Sequence, residues 1–97
     1  MDIGYCAVTA DILHTGHINF IHTCKSFCDE LIVGVMTDKC VKKYKGHYPV
    51  MLYSERAAII SALHDVGRVI PQNTFEFPIE MLKRKHNVYY IFDSIKH

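Results

Sequence analysis

Short apolar runs alternate with amphipathic segments along the whole chain. Residues 3–10 and 30–37 are nearly continuous apolar runs, and residues 67–71 and 87–93 are shorter ones. Such runs are typical of strands that are covered on both faces in a parallel sheet. The segments between them are predicted to be helices, because βαβ units join parallel strands through a helical crossover.

Three helices are predicted between these strands. The first covers residues 17–29, and the second starts at Ser54, a good N-cap, and ends at residue 64. The third covers residues 78–85, where Pro78 suits the first turn. The residues expected on buried faces are Ile18, Ile21, Cys24 and Cys28 in the first helix, and Ala57, Ile60 and Leu63 in the second.

In residues 38–51 the apolar positions follow neither the helical nor the strand periodicity, and this segment is predicted to form a polar, lysine-rich loop. The resulting order, β-α-β-loop-α-β-α-β, indicates an α/β fold, a three-layer Rossmann-like parallel sheet. Ligands of such a fold bind at the carboxyl ends of the strands, where the strand order reverses. Sheets of this type usually gain a fifth strand and a closing helix, so the sequence is expected to lack the C-terminal part of the fold.

The length of 97 residues predicts a single domain, residues 1–97. The net charge of +1 predicts no general attraction to nucleic acid. No run of about 18 apolar residues is present, so no membrane span is expected. The N-terminus also lacks the features of a signal peptide, and we expect a cytoplasmic protein.

The four cysteines, Cys6, Cys24, Cys28 and Cys40, are expected to be free thiols in a reducing compartment. Cys6 lies in a predicted buried strand, and Cys24 and Cys28 are one helical turn apart. Zinc bound by His22, Cys24 and Cys28 is the alternative, but their spacing matches no common ligand motif. We therefore expect apolar-face thiols and no metal site built by the protein.

Two histidines flank a glycine in "TADILHTGHINF", residues 9–20, at the predicted end of the first strand. The free N–H groups at a helix start suit a phosphate, and Gly16 lets the backbone approach an anion. His14 and His17 have ring nitrogens that can donate to phosphate oxygens. The alternative is a helix-start pair with no ligand. Asp11 just before the pair, and the glycine within it, favour a site.

The segment "HTGH" fits the HxGH motif of the nucleotidyltransferase superfamily, and residues 9–20 resemble the opening of cytidylyltransferases. "VGVMTDKCVKKYKGHYPV", "YSERAAIISAL" and "VGRVIPQ" follow the order and spacing of the same family. The resemblance covers nearly the whole chain. It is closest to cytidylyltransferases that act on glycerol 3-phosphate, phosphoethanolamine or phosphonates. The lysine segment followed by "SER" is less similar to the adenylyltransferase branches.

This resemblance implies transfer of CMP from CTP to a small phosphate- or phosphonate-bearing acceptor. The acceptor oxygen attacks the α-phosphorus in line, pyrophosphate leaves, and no covalent enzyme intermediate forms. The work of the protein is then positioning and charge stabilisation. The resemblance further implies Mg²⁺ bound with the CTP, and a homodimer.

The resemblance also assigns roles in the first loop. His14 and His17 would contact the triphosphate and stabilise the transition state. Backbone amides near Thr9 and Ala10, together with Gly16, would hold phosphate oxygens of the nucleotide. Asp11 would belong to the architecture or the metal environment of the same loop.

Basic residues further along the chain complete the implied site. Lys43 and Lys45 are the best candidates for phosphate contact in the lysine segment, where two polyanions must be brought together. A solvated charged loop is the alternative interpretation of that segment. Arg56 matches an arginine that helps to bind the substrates. Its alternative is an exposed charge in a first helical turn, where the helix dipole disfavours a cation.

The chain departs from the family pattern in three places. Val8 and Ala10 stand where the family usually has a glycine and an aromatic residue in the first loop. "IFDSIKH" replaces the usual Gly-Asp-Asp, which leaves Asp93 and Ser94 as the equivalents, Asp93 on the nucleotide. No segment of the sequence resembles the family's Arg-Thr…Ile-Ser-Thr signature. The alternatives are therefore a nucleotide-binding or regulatory module without turnover, and an adenylyltransferase of the same superfamily.

Overall fold

The computed structural model describes residues 1–92, in which four strands form one parallel sheet. The strands are β1 (Ile3–Val8), β2 (Glu30–Met36), β3 (Arg68–Gln72) and β4 (Val88–Phe92). They lie in the order β3-β2-β1-β4. All four predicted strands are confirmed, with ends that differ by one or two residues. Asp93 and Ser94 lie outside the described residues.

Four helices within these residues cover the two faces of the sheet. They are α1 (Thr15–Lys25), α2 (Asp38–Lys45), α3 (Tyr53–Ser61) and α4 (Ile79–His86). Ile21 of α1 and Ile60 of α3 pack in one core cluster, and Leu82 of α4 packs in another. The strands β1, β2 and β3 follow one another in one direction, so right-handed crossovers place α1 and α3 on the same face. The jump to β4 places α4 on the opposite face, which confirms three layers.

The two cores follow from the alternation of side chains along each strand. Cys6 and Val8 of β1 join Leu31, Val33 and Val35 of β2 beneath α1 and α3. Tyr5 of β1 and Ile32 of β2 join Leu82 and Val88 in the cluster under α4. Both faces of the central strands are therefore buried, as their nearly continuous apolar sequences predict.

The prediction of a loop over residues 38–51 is wrong for its first half, which forms α2. Thr37 is the N-cap, and its hydroxyl accepts a hydrogen bond from the N–H of Cys40 (3.3 Å). Gly46 ends the helix in the left-handed conformation, with φ 82°. Three lysines lie in the last turn, where they interact favourably with the helix dipole. Cap residues at both ends mark a helix too short for periodicity to reveal.

The ends of two predicted helices also differ in the structure. The helix α1 begins at Thr15 rather than residue 17, because His14 is its N-cap. Ile18, expected on the buried face, is 41% exposed. The helix α3 begins at Tyr53, and Ser54 is exposed rather than the N-cap. There the carboxylate of Glu55 accepts from the N–H of Leu52 (3.4 Å), which satisfies one of the free donors of the first turn.

All four cysteines lie within the described residues, and all are free thiols. Cys6, Cys24 and Cys40 are buried, as expected for thiols that pack as apolar groups. The exposed His22 hydrogen-bonds Asp65, with 3.0 Å between Nδ1 and Oδ2. In residues 1–92 no helix has the length and apolar character that crossing a membrane requires.

The side chain of Tyr5 approaches the backbone of β2 so closely that position 34 must be glycine. The ring of Tyr5 crosses over β2 there, and a Cβ built on Gly34 would lie 1.7 Å from the phenolic oxygen. The same Cβ would lie 2.5 Å from Cζ of that ring. Any side chain at this position therefore displaces Tyr5 from the core.

We predict that Gly34→Ala destabilises the domain by about 3 kcal/mol, the upper end of the usual cost of overpacking. Chemical denaturation of the two proteins measures the difference. Replacing the exposed Gly46 would not serve as a control, because its φ is positive. Ala62→Ser, at an exposed position, is a suitable control. Equal stability of Gly34→Ala and the parent chain would contradict the close approach.

Candidate nucleotide site

A cavity of about 700 Å³ opens at the carboxyl end of β1. The strand order reverses beside β1, which is where a sheet of this kind binds its ligands. The residues that line it include Thr9, His14, Gly16, His17 and Lys45. The structure thus brings together five of the residues that the sequence places in the site.

His14 and His17 cap the start of α1 reciprocally. Nδ1 of His14 accepts from the N–H of Gly16 (3.0 Å), and Nδ1 of His17 accepts from the N–H of His14 (3.2 Å). The arrangement is a capping box in which imidazoles replace the usual hydroxyl and carboxylate. The two rings lie close together, with centroids 4.1 Å apart. The pair is therefore a helix cap, as the alternative interpretation proposed, and it also lines the cavity.

The cap fixes which ring nitrogen carries the proton. A nitrogen that accepts a backbone N–H bond has no proton, so both neutral rings carry theirs on Nε2. Each Nε2–H is then a hydrogen-bond donor that the cap does not use. The helix N-terminus beside them adds a partial positive charge. Two donors and a helix dipole form a site that suits the oxygens of a phosphate group.

Gly16 has a steric reason for being glycine. A Cβ on Gly16 would lie 2.7 Å from Cε1 and 2.9 Å from Nδ1 of His14. A side chain there would push the His14 ring off the first turn and break its bond to the Gly16 N–H. The glycine thus supports the histidine cap, in addition to leaving room for an anion.

The environment of His17 favours its neutral form. Partial burial lowers the pKa of His17, and the neighbouring His14 and Lys45 lower it further. A neutral ring keeps Nδ1 available as the acceptor of the cap. The cationic Lys45 therefore contributes to the cap indirectly, besides lining the cavity itself.

The loop between β1 and α1 contains a residue in the left-handed region. Ala10 has φ 55° and is almost fully buried. Glycine adopts this conformation at lower cost than alanine does. The backbone here follows the path that a glycine would allow, although the residue is alanine.

Arg56 lies completely inside the protein, so the interpretation as an exposed charge is wrong. Its three guanidinium nitrogens each bond to a protein oxygen. Nε donates to the carbonyl of Met51 (3.0 Å), Nη1 to the carbonyl of Thr9 (2.7 Å), and Nη2 to the carboxylate of Asp38 (2.6 Å). In this structure Arg56 positions the loop that contains Thr9 and does not line the cavity.

Asp11 holds the segment before α3 against the first loop. Its two carboxylate oxygens accept from the N–H groups of Val50 (3.0 Å) and Met51 (2.9 Å). These two bonds, the one from Met51 first, hold the pKa of Asp11 below its usual value. Of the two roles considered for Asp11, the geometry matches loop architecture.

The lysines of α2 divide between the cavity and the surface. Lys45 lines the cavity, whereas Lys43 is exposed and its ammonium lies 5.6 Å from the centre of the Tyr44 ring. Lys42 donates to the carbonyl of Gly46 (3.1 Å), which completes the end of the helix. The structure thus places Lys45 at the site and does not place Lys43 there.

The residues around the cavity do not form a cage for Mg²⁺. Among the described residues, no group of three His, Cys, Asp or Glu side chains is arranged to hold a metal ion. Both oxygens of Asp11 are already bonded to backbone N–H groups. Magnesium commonly binds through substrate phosphates and water, with few protein ligands. A nucleotide that carries its own Mg²⁺ is consistent with this donor set.

Several lining residues were not predicted from the sequence. Asn19, Phe20 and Thr23 lie on the same side of α1 as Gly16, at helical spacings of three, four and seven. Phe75 and Phe77 come from the segment after β3. Phe75 and Phe77 alternate just beyond the end of β3, and strand ends meet at the edge of the sheet that binds ligands. This spacing was a sequence signal that the two rings line the cavity.

The chain belongs to the Cytidylyltransferase-like family, which it matches over residues 5–96. A curated FAD synthase of Pyrococcus abyssi is 40% identical over 74 residues, which are 76% of this chain and 50% of that protein. The Bifunctional protein HldE of Sulfurimonas denitrificans is 40% identical over 74 residues, 75% of this chain and 15% of that protein. The chain thus spans half the length of the first relative and a small part of the second.

A solved structure has the same fold. The lipopolysaccharide core biosynthesis protein from Thermoplasma volcanium superimposes with a TM-score of 0.74 at 26% sequence identity. The match covers 94% of each chain. The resemblance to the nucleotidyltransferase superfamily is thereby confirmed, together with the Rossmann-like fold.

We predict that stability falls with pH below about 6.5 through His17. The folded pKa of His17 is lowered, so the unfolded chain binds this proton more readily than the folded one. The contribution is therefore fully present above about 6.5, the unfolded value, and declines as the pH falls toward the folded pKa. Melting temperatures between pH 5 and 8 measure it.

His17→Gln is the matched control for this pH dependence. Glutamine at the third helical position also reaches back to the N-cap N–H, but it does not titrate. The difference in melting temperature between the two proteins is expected to change with pH only below about 6.5. A difference that stays constant across this range would contradict the assignment of the proton to His17.

We predict that Arg56→Met destabilises the domain by about 3–5 kcal/mol, because it breaks a buried ion pair and leaves two carbonyls unbonded. Arg84→Met, which removes an arginine whose side chain is 79% exposed, is the control and is expected to cost less than about 1 kcal/mol. Denaturant titration measures both. A stable Arg56→Met with weakened nucleotide binding would instead make Arg56 a substrate contact.

Proposed function

We propose that this chain performs nucleotidyl transfer at the cavity beside β1. A phosphate or phosphonate oxygen of the acceptor attacks the α-phosphorus of a nucleoside triphosphate. A new P–O bond forms, the bond from the α-phosphorus to the bridging oxygen breaks, and pyrophosphate leaves. The observation that carries this proposal is the histidine cap beside the cavity, which engages Nδ1 of both rings and leaves Nε2 of each outside the cap.

The proposed roles follow from the geometry of the donors. His14 and His17 donate from Nε2 to the triphosphate and strengthen those bonds as charge develops on the transferring phosphoryl group. Lys45 adds a positive charge at the same cavity, which offsets the repulsion between two anions. Arg56 and Asp11 hold the loop that contains Thr9 and Ala10, and so act as positioning residues.

We propose CTP, with its bound Mg²⁺, as the nucleotide, and a small phosphate or phosphonate as the acceptor. The support is the lysine segment followed by "SER" at residues 54–56. ATP is the second candidate, because the FAD synthases among the relatives make a product that contains an adenylyl group. Free thiols, three of them buried, are consistent with a reducing cytoplasm.

Thermal unfolding with added nucleotides tests the choice between CTP and ATP. Mg²⁺–CTP is expected to raise the melting temperature more than Mg²⁺–ATP or Mg²⁺–GTP, because binding to the folded state alone stabilises it. A larger shift with ATP would instead support the adenylyl alternative. The absence of a shift with every nucleotide would contradict the proposed function.

His17→Gln in the full chain tests the role of the imidazole in transfer. Its effect is measured by pyrophosphate release with glycerol 3-phosphate, phosphoethanolamine and 2-aminoethylphosphonate as acceptors. The variant keeps the cap but loses the ring donor, so turnover is expected to fall about a hundredfold or more. Nucleotide affinity is expected to change far less, because the donor acts mainly on charge that develops in the transition state.

Three outcomes separate the possibilities for His17. Normal turnover in His17→Gln would make the histidine a helix cap alone. Weakened nucleotide binding with normal turnover at saturation would make it a ground-state contact. Nucleotide binding by the parent chain, without turnover on any acceptor, would favour the regulatory module over the enzyme.

We also propose that the chain forms a homodimer. Aromatic side chains lie exposed along β4, an edge strand among the described residues, with Tyr89 71% exposed. Phe27, just after α1, is 62% exposed and lies near Phe92. Exposed apolar groups that cluster in this way are typical of contact surfaces. Light scattering at micromolar concentrations is expected to give twice the chain mass, and a monomer mass would contradict the proposal.

A further inference from the structure

A chain of hydrogen bonds runs from the buried middle of the sheet to the mostly exposed segment of residues 73–77. The phenolic hydroxyl of Tyr5 donates to Oε1 of Gln72 (2.5 Å), and Nε2 of Gln72 donates to the carbonyl of Thr74 (2.8 Å). The hydroxyl of Thr74 in turn donates to the carbonyl of Glu76 (2.7 Å). The bonds connect β1 to β3 across β2, and then connect β3 to the segment of residues 73–77.

This hydrogen-bonded chain places two polar side chains in the core, which costs stability. Tyr5 is fully buried and Gln72 is 2% exposed, and a buried polar group is costly unless it is bonded. Gly34 lacks a side chain where the Tyr5 hydroxyl crosses over β2. Burial raises the pKa of Tyr5, so the hydroxyl keeps its proton and remains a donor. An apolar residue at each position would fill the core without these requirements.

The segment held by this chain supplies the aromatic side of the cavity. Phe77 packs edge-on against the Tyr5 ring, with centroids 6.0 Å apart. Phe75 lies against Tyr44 of α2 at 5.0 Å, and both phenylalanines line the cavity. We call Phe75 and Phe77 the aromatic wall.

We propose that Tyr5 and Gln72 are positioning residues that hold the aromatic wall in place through the Thr74 carbonyl. Phe77 packs against the core, but Thr74 and Phe75 are exposed, so core contacts restrain the first part of this segment little. The bond from Gln72 therefore fixes where the wall begins. The importance of the aromatic wall for a bound substrate rests on the proposed nucleotidyl transfer. The positioning of the wall by Gln72 does not depend on that proposal.

A tryptophan reporter tests the positioning without any substrate. The chain contains no tryptophan, so Phe75→Trp introduces a single fluorophore at an exposed position on the wall. Quenching by acrylamide is measured in this background for Tyr5→Phe, Gln72→Met and the double variant. Ile60→Val, in the core on the other face of the sheet, is the control for a general loss of stability.

Both single variants are expected to raise the quenching constant roughly twofold, because each breaks the same hydrogen-bonded chain. The double variant is expected to add little further, since the two residues act as one unit. Ile60→Val is expected to leave quenching unchanged. Unchanged quenching in Tyr5→Phe and Gln72→Met, or an equal rise in Ile60→Val, would overturn the proposal. Since no nucleotide is present, a failure of the proposed transfer chemistry would not alter these results.

Discussion

The reciprocal hydrogen bonds between His14 and His17 occupy Nδ1 of both rings at the first turn of α1. A hydroxyl or carboxylate cap would satisfy the same backbone donors, but it would leave no second donor facing outward. Imidazole has two nitrogens, so Nδ1 can accept the bond that caps the helix while Nε2–H remains a hydrogen-bond donor. Gly16 is required because any side chain would displace the His14 ring. Local folding and proposed chemistry thus depend on the same three residues, His14, Gly16 and His17.

The loops around this cap are held by two charged side chains, the buried Arg56 and the partly exposed Asp11. Arg56 bonds the carbonyls of Thr9 and Met51 and the carboxylate of Asp38. Asp11 binds the N–H groups of Val50 and Met51. These two residues join the end of β1, the start of α2 and the segment before α3. A phosphate site made of backbone and ring donors needs such support, because its geometry depends on where the loops lie.

Much of the fold was predictable from sequence, because the apolar runs of a two-sided parallel sheet are distinctive. The short α2 was missed, since eight residues give too little periodicity, although Thr37 and Gly46 mark its ends. The histidines, Gly16 and Lys45, which the sequence places in the site by their position after β1 and β2, line one cavity in the structure. The burial of Arg56 was not predictable, because it depends on partners that lie 47 and 18 residues away in sequence. The aromatic wall was missed although Phe75 and Phe77 alternate just beyond β3, and Phe77 contacts Tyr5, which lies 72 residues away in sequence.

The ¹⁵N chemical shifts of the imidazoles show whether the histidine cap forms and whether Nε2 meets the nucleotide. They distinguish a bare ring nitrogen from one that carries a proton, for His14 and His17 separately, before and after addition of Mg²⁺–CTP or Mg²⁺–ATP. We predict that in the free protein at neutral pH both rings are protonated on Nε2 and bare on Nδ1. The nucleotide is expected to shift the Nε2 resonances while Nδ1 stays bare. A proton on Nδ1 of either ring in the free protein, or Nε2 resonances that no nucleotide changes, would contradict the account.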